Sequence, residues 1–196
     1  MTHQTLVCSN DSMGNVEILN RGDIQLTSAG TGISHAEHAH GPTQVHFLQI
    51  WAFPRISRLT PKYFTRHFTD EQKKDKWCLV VAPVDYPGIK LEREAKKGPA
   101  PIQASLRLNV ALISPGVSLP HITPKGLRKQ YIHVIQTSGF NKGPAKGNSV
   151  VVRGKGGKEQ TLKEGDGAYM MTDENRKIEI ESNGDGVAEV LLFDLE

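Results

Sequence analysis

His35 and Glu37 stand two residues apart in the run RGDIQLTSAGTGISHAEHAH (21–40) and are the side chains of this chain best suited to chemistry. An extended strand turns residues two apart to the same side, so the pair presents an imidazole nitrogen and a carboxylate oxygen to one point. Mixed nitrogen and oxygen donors suit iron, manganese, nickel or copper. Two donors are half of such a site, because a mononuclear centre of useful affinity takes three or four ligands. His3, His38, His40 and His46 are near in sequence. His38 and His40 have the opposite parity to His35, and a regular strand aims them elsewhere.

The elements that must hold this pair read as short strands. Strands are expected at 16–19, 24–27, 33–37 and 45–51, broken by Arg21-Gly22-Asp23, Gly30-Thr31-Gly32 and Gly41-Pro42. This is the rhythm of a β-sandwich or barrel. One short helix is expected at 69–77, where Thr69 and Gln72 have capping-box spacing. Further strands are expected at 78–83, 106–113, 130–137, 149–153, 159–162, 168–171, 177–182 and 188–195, with an exposed loop at 94–101. The basic stretch RGKGGK (153–158) lacks phosphate-loop spacing and reads as a hairpin tip. Leu19-Asn20-Arg21-Gly22-Asp23 is echoed 143 residues later, Gly22 by Gly165, in Leu162-Lys163-Glu164-Gly165-Asp166. A turn repeated in the same strand-turn-strand setting points to a duplicated β-barrel. A domain boundary is expected between residues 54 and 77.

Composition bounds the rest. The 196 residues are 37% apolar and 23% charged, ordinary for a globular chain able to bury a core. With 19 Gly and 11 Pro and few helix-period stripes, all-β is the expected class. The net charge of +3 is scattered, which gives no electrostatic case for a dedicated nucleic-acid protein. No apolar run reaches the roughly 18–20 residues of a membrane span. Cys8 and Cys78 are too few for a disulfide framework, sit in no nucleophile constellation, and follow no secretory leader, so an intracellular home, cytoplasmic or nuclear, is expected. Trp51, Phe47 and Phe53 read first as strand core and second as the wall of a small-molecule pocket.

The chain resembles the pirin family of two-domain cupins. In the second cupin motif Gly22 opens the pattern, Ser28 stands where proline is usual, Gly30 is the bend glycine and His35 the ligand. The longer Ala-Gly-x-Gly-Ile-x-His-x-Glu form at 29–37 marks pirins among cupins. DSMGN (11–15), HFLQIW (46–51), ISPG (113–116), QYIHVIQ (130–136), EGDGAY (164–169) and the terminal EVLLFDLE continue the likeness.

The resemblance implies two tandem jelly-roll cupin domains, at 1–60 and 77–196, joined by a linker at 61–76. It implies a metal held by His35 and Glu37, with iron or another divalent transition metal as cofactor. It also implies a quercetin 2,3-dioxygenase-like activity on a flavonol-type small molecule, with Glu37 as catalytic carboxylate. The alternative is a non-catalytic nuclear cofactor that binds a transcription factor, or an inactive paralogue. Pirins carry a His-x-His pair upstream of the DSMGN-like turn, and none occurs in residues 1–10. The expectation is therefore a chain that starts late, with an incomplete N-terminal barrel, a weakly held metal and a tendency to associate through 16–51. His121 follows Gly116 at roughly first-motif spacing, but Thr123 and the absence of a histidine after Gly165-Asp166 leave the C-terminal domain without a metal site. His133, inside an apolar strand, reads as a hydrogen-bonded core or pocket residue.

Overall fold

The computed structural model describes residues 6–9, 11–40, 42, 45–139, 144–145, 147–173 and 175–196, with only the backbone described at 6–9 and 155. It divides into two compact units, one of Met1–Phe68 with Ala82–Ala104 and one of Thr69–Val81 with Ser105–Glu196.

The first unit opens with β1 (Leu6–Ser9), β2 (Glu17–Leu19), β3 (Asp23–Ser28), β4 (Ala36–Ala39) and β5 (Lys62–His67). β1 lies between β2 and β4, antiparallel to both, and β3 pairs antiparallel with β5. The chain then passes through α1 (Asp70–Lys73) and β6 (Cys78–Pro83) and returns for β7 (Ala100–Ile102).

The DSMGN stretch is the turn between β1 and β2. The Asp11 carboxylate accepts hydrogen bonds from the backbone N–H of Met13 and of Asn15, each at 2.9 Å, and from Asn15 Nδ2 at 2.6 Å. An aspartate that satisfies its own turn in this way is the physical reason for Asp at its first position. Burial pushes the Asp11 carboxyl up, and these bonds outweigh it, holding the group below its ordinary value.

The duplicated turn is real. Asp23 N donates to Asn20 O at 3.0 Å and Asn20 N to Asp23 Oδ2 at 2.6 Å. Asp166 N donates to Lys163 O and Lys163 N to Asp166 Oδ2, both at 2.9 Å. Gly22 and Gly165 have φ of +91° and +85° at the third position, which a type II turn demands.

The second unit adds β8 (Leu106–Ile113), β9 (Ser118–Ile122), β10 (Lys129–Val134), β11 (Ser149–Arg153), β12 (Glu159–Lys163), β13 (Gly167–Met171), β14 (Lys177–Ser182) and β15 (Ala188–Leu195). One sheet runs β13-β10-β15-β8-β6 and the other β12-β11-β14-β9. Alternation sets their facing sides. Val150 and Val152 of β11, Ile178 and Ile180 of β14 and Ile132 and Val134 of β10 turn inward and meet Leu192 in one core. Each such aliphatic side chain stabilises the unit by about 1.5–3 kcal/mol. The fold is all-β, as expected. The 153–158 stretch is the tip of the β11–β12 hairpin, closed by Gly154 N donating to Lys158 O at 2.8 Å.

Several expectations are corrected. Residues 45–51 form no strand; Phe47, Leu48 and Ile50 are exposed, and Trp51 and Phe53 are 87% and 97% exposed rather than in a core. An alternating pattern makes a strand only where a neighbour supplies backbone partners. The strand expected at 33–37 forms three residues later, as β4, because Ala29–Gly32 closes a turn through Gly32 N donating to Ala29 O at 2.8 Å. Residues 61–76 were expected as a linker; they contain β5 and α1, and Ala82–Ala104 groups with the first unit. α1 is shorter than the 69–77 helix expected, although Thr69 N does donate to Gln72 Oε1 at 2.8 Å. β1, β5, β7 and β9 had no counterpart in the sequence reading. No described helix is long and apolar enough to cross a membrane.

Candidate metal centre

The bend ahead of His35 is fixed by glycine. A Cβ on Gly30, whose φ is +54°, would lie 2.0 Å from Leu59 O, the same carbonyl that accepts from Thr31 N at 2.9 Å. Only a residue without a side chain permits that approach. The DSMGN turn braces the next step: Ser12 N donates to Ser34 O at 2.8 Å, and Ser34 N donates to Ser12 Oγ at 3.2 Å. His35 and Glu37 thus leave a segment pinned at both Gly30 and Ser34.

His35 is exposed and immediately precedes β4, while Glu37 lies within it and is half-buried. Glu37 stands opposite Cys8, and Cys8 stands opposite Glu17 on the far side of β1. Directly opposed residues share a face, so Glu17 and Glu37 lie in one rank across three strands. His38 stands opposite Val7, on the other parity from Glu37, as its spacing requires. His40 and His46 are exposed and outside any strand; His3 is outside the described residues. No group of three or more His, Cys, Asp or Glu among the described residues is arranged to hold a metal ion.

Glu17 was missed by sequence reasoning. Its carboxylate receives Tyr63 Oη at 2.9 Å and the Arg93 guanidinium, which lies over the Tyr63 ring at 5.2 Å. The ion pair raises the hold of Arg93 on its proton, the Glu17 hydrogen bond being the largest cause. No local signal could have found this cluster, since Arg93 is 76 residues from Glu17.

In the second unit, His121 is committed to a carboxylate. Its Nε2 lies 2.8 Å from Asp194 Oδ1, which also receives Gln130 Nε2 at 2.8 Å, while Asn109 Nδ2 reaches Oδ2 at 3.3 Å. Asp194 is fully buried and Trp77 packs edge-on against His121 with ring centroids 5.9 Å apart. Nε2 of His121 is thus committed to Asp194, which leaves Nδ1 as its other ring nitrogen. His133 alternates away from this core and stacks on Tyr131 at 6.3 Å.

The Pirin family model matches residues 4–52. A quercetin 2,3-dioxygenase of Escherichia coli (strain K12) is 32% identical over 187 residues, which cover 94% of this chain and 66% of the relative. The chain therefore spans just under two thirds of that relative's length. Among solved structures, YhhW from Escherichia coli aligns with a TM-score of 0.72 at 28% identity, covering 98% of this chain and 68% of the other. Bacterial pirin YhhW from Escherichia coli in complex with nickel(II) aligns with a TM-score of 0.68 at 27% identity, covering 98% and 72%.

Proposed function

The chain belongs to the pirin family, and from that premise we propose that it is a metal-binding cupin protein derived from a quercetin 2,3-dioxygenase-type oxidoreductase. His35 and Glu37 are its assigned ligands, for iron or another divalent transition metal. The observation that carries this reading is the pinned Gly30 bend, which delivers an imidazole and a half-buried carboxylate two residues apart. The related pirin in complex with nickel(II) supports a divalent ion. The donor pair fits such an ion in type and falls short of it in number among the described residues. Binding by this chain is accordingly weak, and no catalytic step is assigned to the metal. Glu37 is the carboxylate available to take a proton from a flavonol-type hydroxyl.

The test is calorimetric titration of the chain with nickel(II) and iron(II), beside His35→Ala, Glu37→Ala and His121→Ala. Binding near one ion per chain should be lost in the first two variants and kept in the third. Retention of the ion in His35→Ala would overturn the assignment. A second reading, a non-catalytic intracellular protein that binds a transcription factor in nucleus or cytoplasm, is favoured by the two-donor set and by the exposed aromatics at 47–53. Metal binding without turnover of quercetin would select it.

A further inference from the structure

The second unit leaves one sheet edge unguarded. Among the described residues β9, β12 and β13 each pair on one side only. An edge strand is kept from pairing with another chain by proline, charge or cover. β9 carries Pro120, which lacks an N–H, and the Pro120 carbonyl accepts from Trp77 Nε1 at 3.1 Å. β12 carries exposed Glu159 and Lys163, and Gln160 Nε2 donates to Thr161 O at 3.1 Å. β13, GAYMM, has no proline, no charge and no register shift against β10. Its Tyr169 and Met171 are 80% and 77% exposed. We infer that β13 is a dimerisation edge and that its partner is β13 of a second copy of this chain.

The hydrogen-bonding phase of β13 selects the pairing. Thr172 N donates to Arg128 O at 2.9 Å and Val134 N to Asp166 O at 3.0 Å. Residues 166, 168, 170 and 172 therefore turn their backbone groups to β10, and Gly167, Tyr169 and Met171 turn theirs to the open side. A two-fold axis at Tyr169 sets Gly167 opposite Met171 of the partner subunit, and Tyr169 opposite Tyr169 of the partner subunit. Every facing pair then exchanges both of its backbone hydrogen bonds. A slip of one residue would face groups already committed to β10. Gly167 has no side chain, and the Tyr131 ring lies over it, since a Cβ there would come within 2.2 Å of Tyr131 Oη. The partner's Met171 thus meets a vacant strand position beside the Tyr131 and Tyr169 rings, whose centroids are 4.7 Å apart.

Area and charge favour a second copy as the occupant. Ala168 and Met170 pack against the core, so alternation sends Tyr169 and Met171 to the outer face. Those two expose about 300 Å² of apolar side chain, a patch of the size that marks interfaces on soluble chains. With the backbone edge and its flanks, about 600 Å² per copy is covered, at the low end of specific interfaces. Such an area sets a dissociation constant in the micromolar range rather than an obligate dimer. Asp166 precedes β13 at one end, and Lys129 stands beside Met171 at the other, both exposed. The antiparallel two-fold brings the acidic end of each copy to the basic end of the other.

The experiment is sedimentation equilibrium of the full chain in reducing buffer over a series of concentrations, which should show a monomer–dimer equilibrium. Tyr169→Lys places two like charges at the axis, and Met171→Pro removes an N–H that faces the open side without costing a bond to β10. Each should raise the dissociation constant about tenfold or more, with circular dichroism melts showing that the variants remain folded. Association through residues 16–51 of the first unit would not respond to either change. In a Cys8→Ser, Cys78→Ser background, a short bismaleimide should bridge two copies of Tyr169→Cys, whose Cα atoms the pairing holds about 5.5 Å apart. It should leave Glu159→Cys, on the guarded β12 edge, monomeric. A chain that stays monomeric at every concentration overturns the inference and leaves the edge to an extended segment of another protein. A dimer unmoved by both Tyr169→Lys and Met171→Pro, or bridging of Glu159→Cys without bridging of Tyr169→Cys, overturns it equally.

Discussion

Asp194→Ala should be among the most damaging single changes in the second unit. The carboxylate is fully buried, and its two oxygens serve His121, Gln130 and Asn109 at 2.8, 2.8 and 3.3 Å. Each short bond to a charged acceptor is worth about 1.5–3 kcal/mol, and the long Asn109 contact adds little. Removing the carboxylate leaves these buried donors unsatisfied, at a cost of about 1–3 kcal/mol each, because a stranded donor keeps its desolvation penalty. We expect about 3–5 kcal/mol, a large part of the roughly 5–15 kcal/mol that stabilises an ordinary domain. Trp77 gives a local readout, since it packs on His121 and donates Nε1 to Pro120 O at 3.1 Å. The other tryptophan, Trp51, is 87% exposed, so urea unfolding in a Trp51→Phe background isolates the Trp77 signal. A double-mutant cycle with His121→Phe should show strong coupling, because either change alone breaks the same pair. A loss below about 1 kcal/mol for Asp194→Ala, or additivity in the cycle, would refute the argument that this cluster holds β9 and β10 to β15.

Gly30→Ala places a Cβ 2.0 Å from Leu59 O at a φ of +54°, so thermal unfolding should show a clear loss and any nickel(II) binding should weaken with it. Glu164 is buried and accepts from Thr137 Oγ1 at 2.6 Å, from Ser138 N at 3.0 Å and Oγ at 2.5 Å, and from Asn148 N at 3.2 Å. Burial raises its pKa, but these bonds win and hold it below its ordinary value of 4.5. Its stabilisation is therefore full above that pH and fades as the pH falls through the folded value; Glu164→Gln should lower stability at neutral pH and flatten the acid limb of a stability-versus-pH curve. Phe53→Ser, at a side chain 97% exposed, should change unfolding free energy by no more than about 0.5 kcal/mol, and a larger loss would mean that the side chain is buried in solution.

Local pattern was enough wherever one chemical requirement fixes one conformation. The repeated Gly-Asp turn was legible because φ near +90° needs glycine and the aspartate closes its own turn. The strands Cys78–Pro83, Leu106–Ile113, Ser149–Arg153, Lys177–Ser182 and Ala188–Leu195 were legible to the residue, because each has a core to alternate against. The 45–51 stretch was misread for the converse reason: its apolar residues satisfy the same pattern and find no strand beside them. His35 and Glu37 were visible as candidates, being neighbours in sequence. Glu17 with Tyr63 and Arg93, and His121 with Asp194, could not be seen there. Their members are 30 to 76 residues apart and meet only when the long-range pairing of the strands brings them together. Sequence alone determines which turns and strands this chain prefers; the long-range pairing of those strands decides which charged side chains become partners.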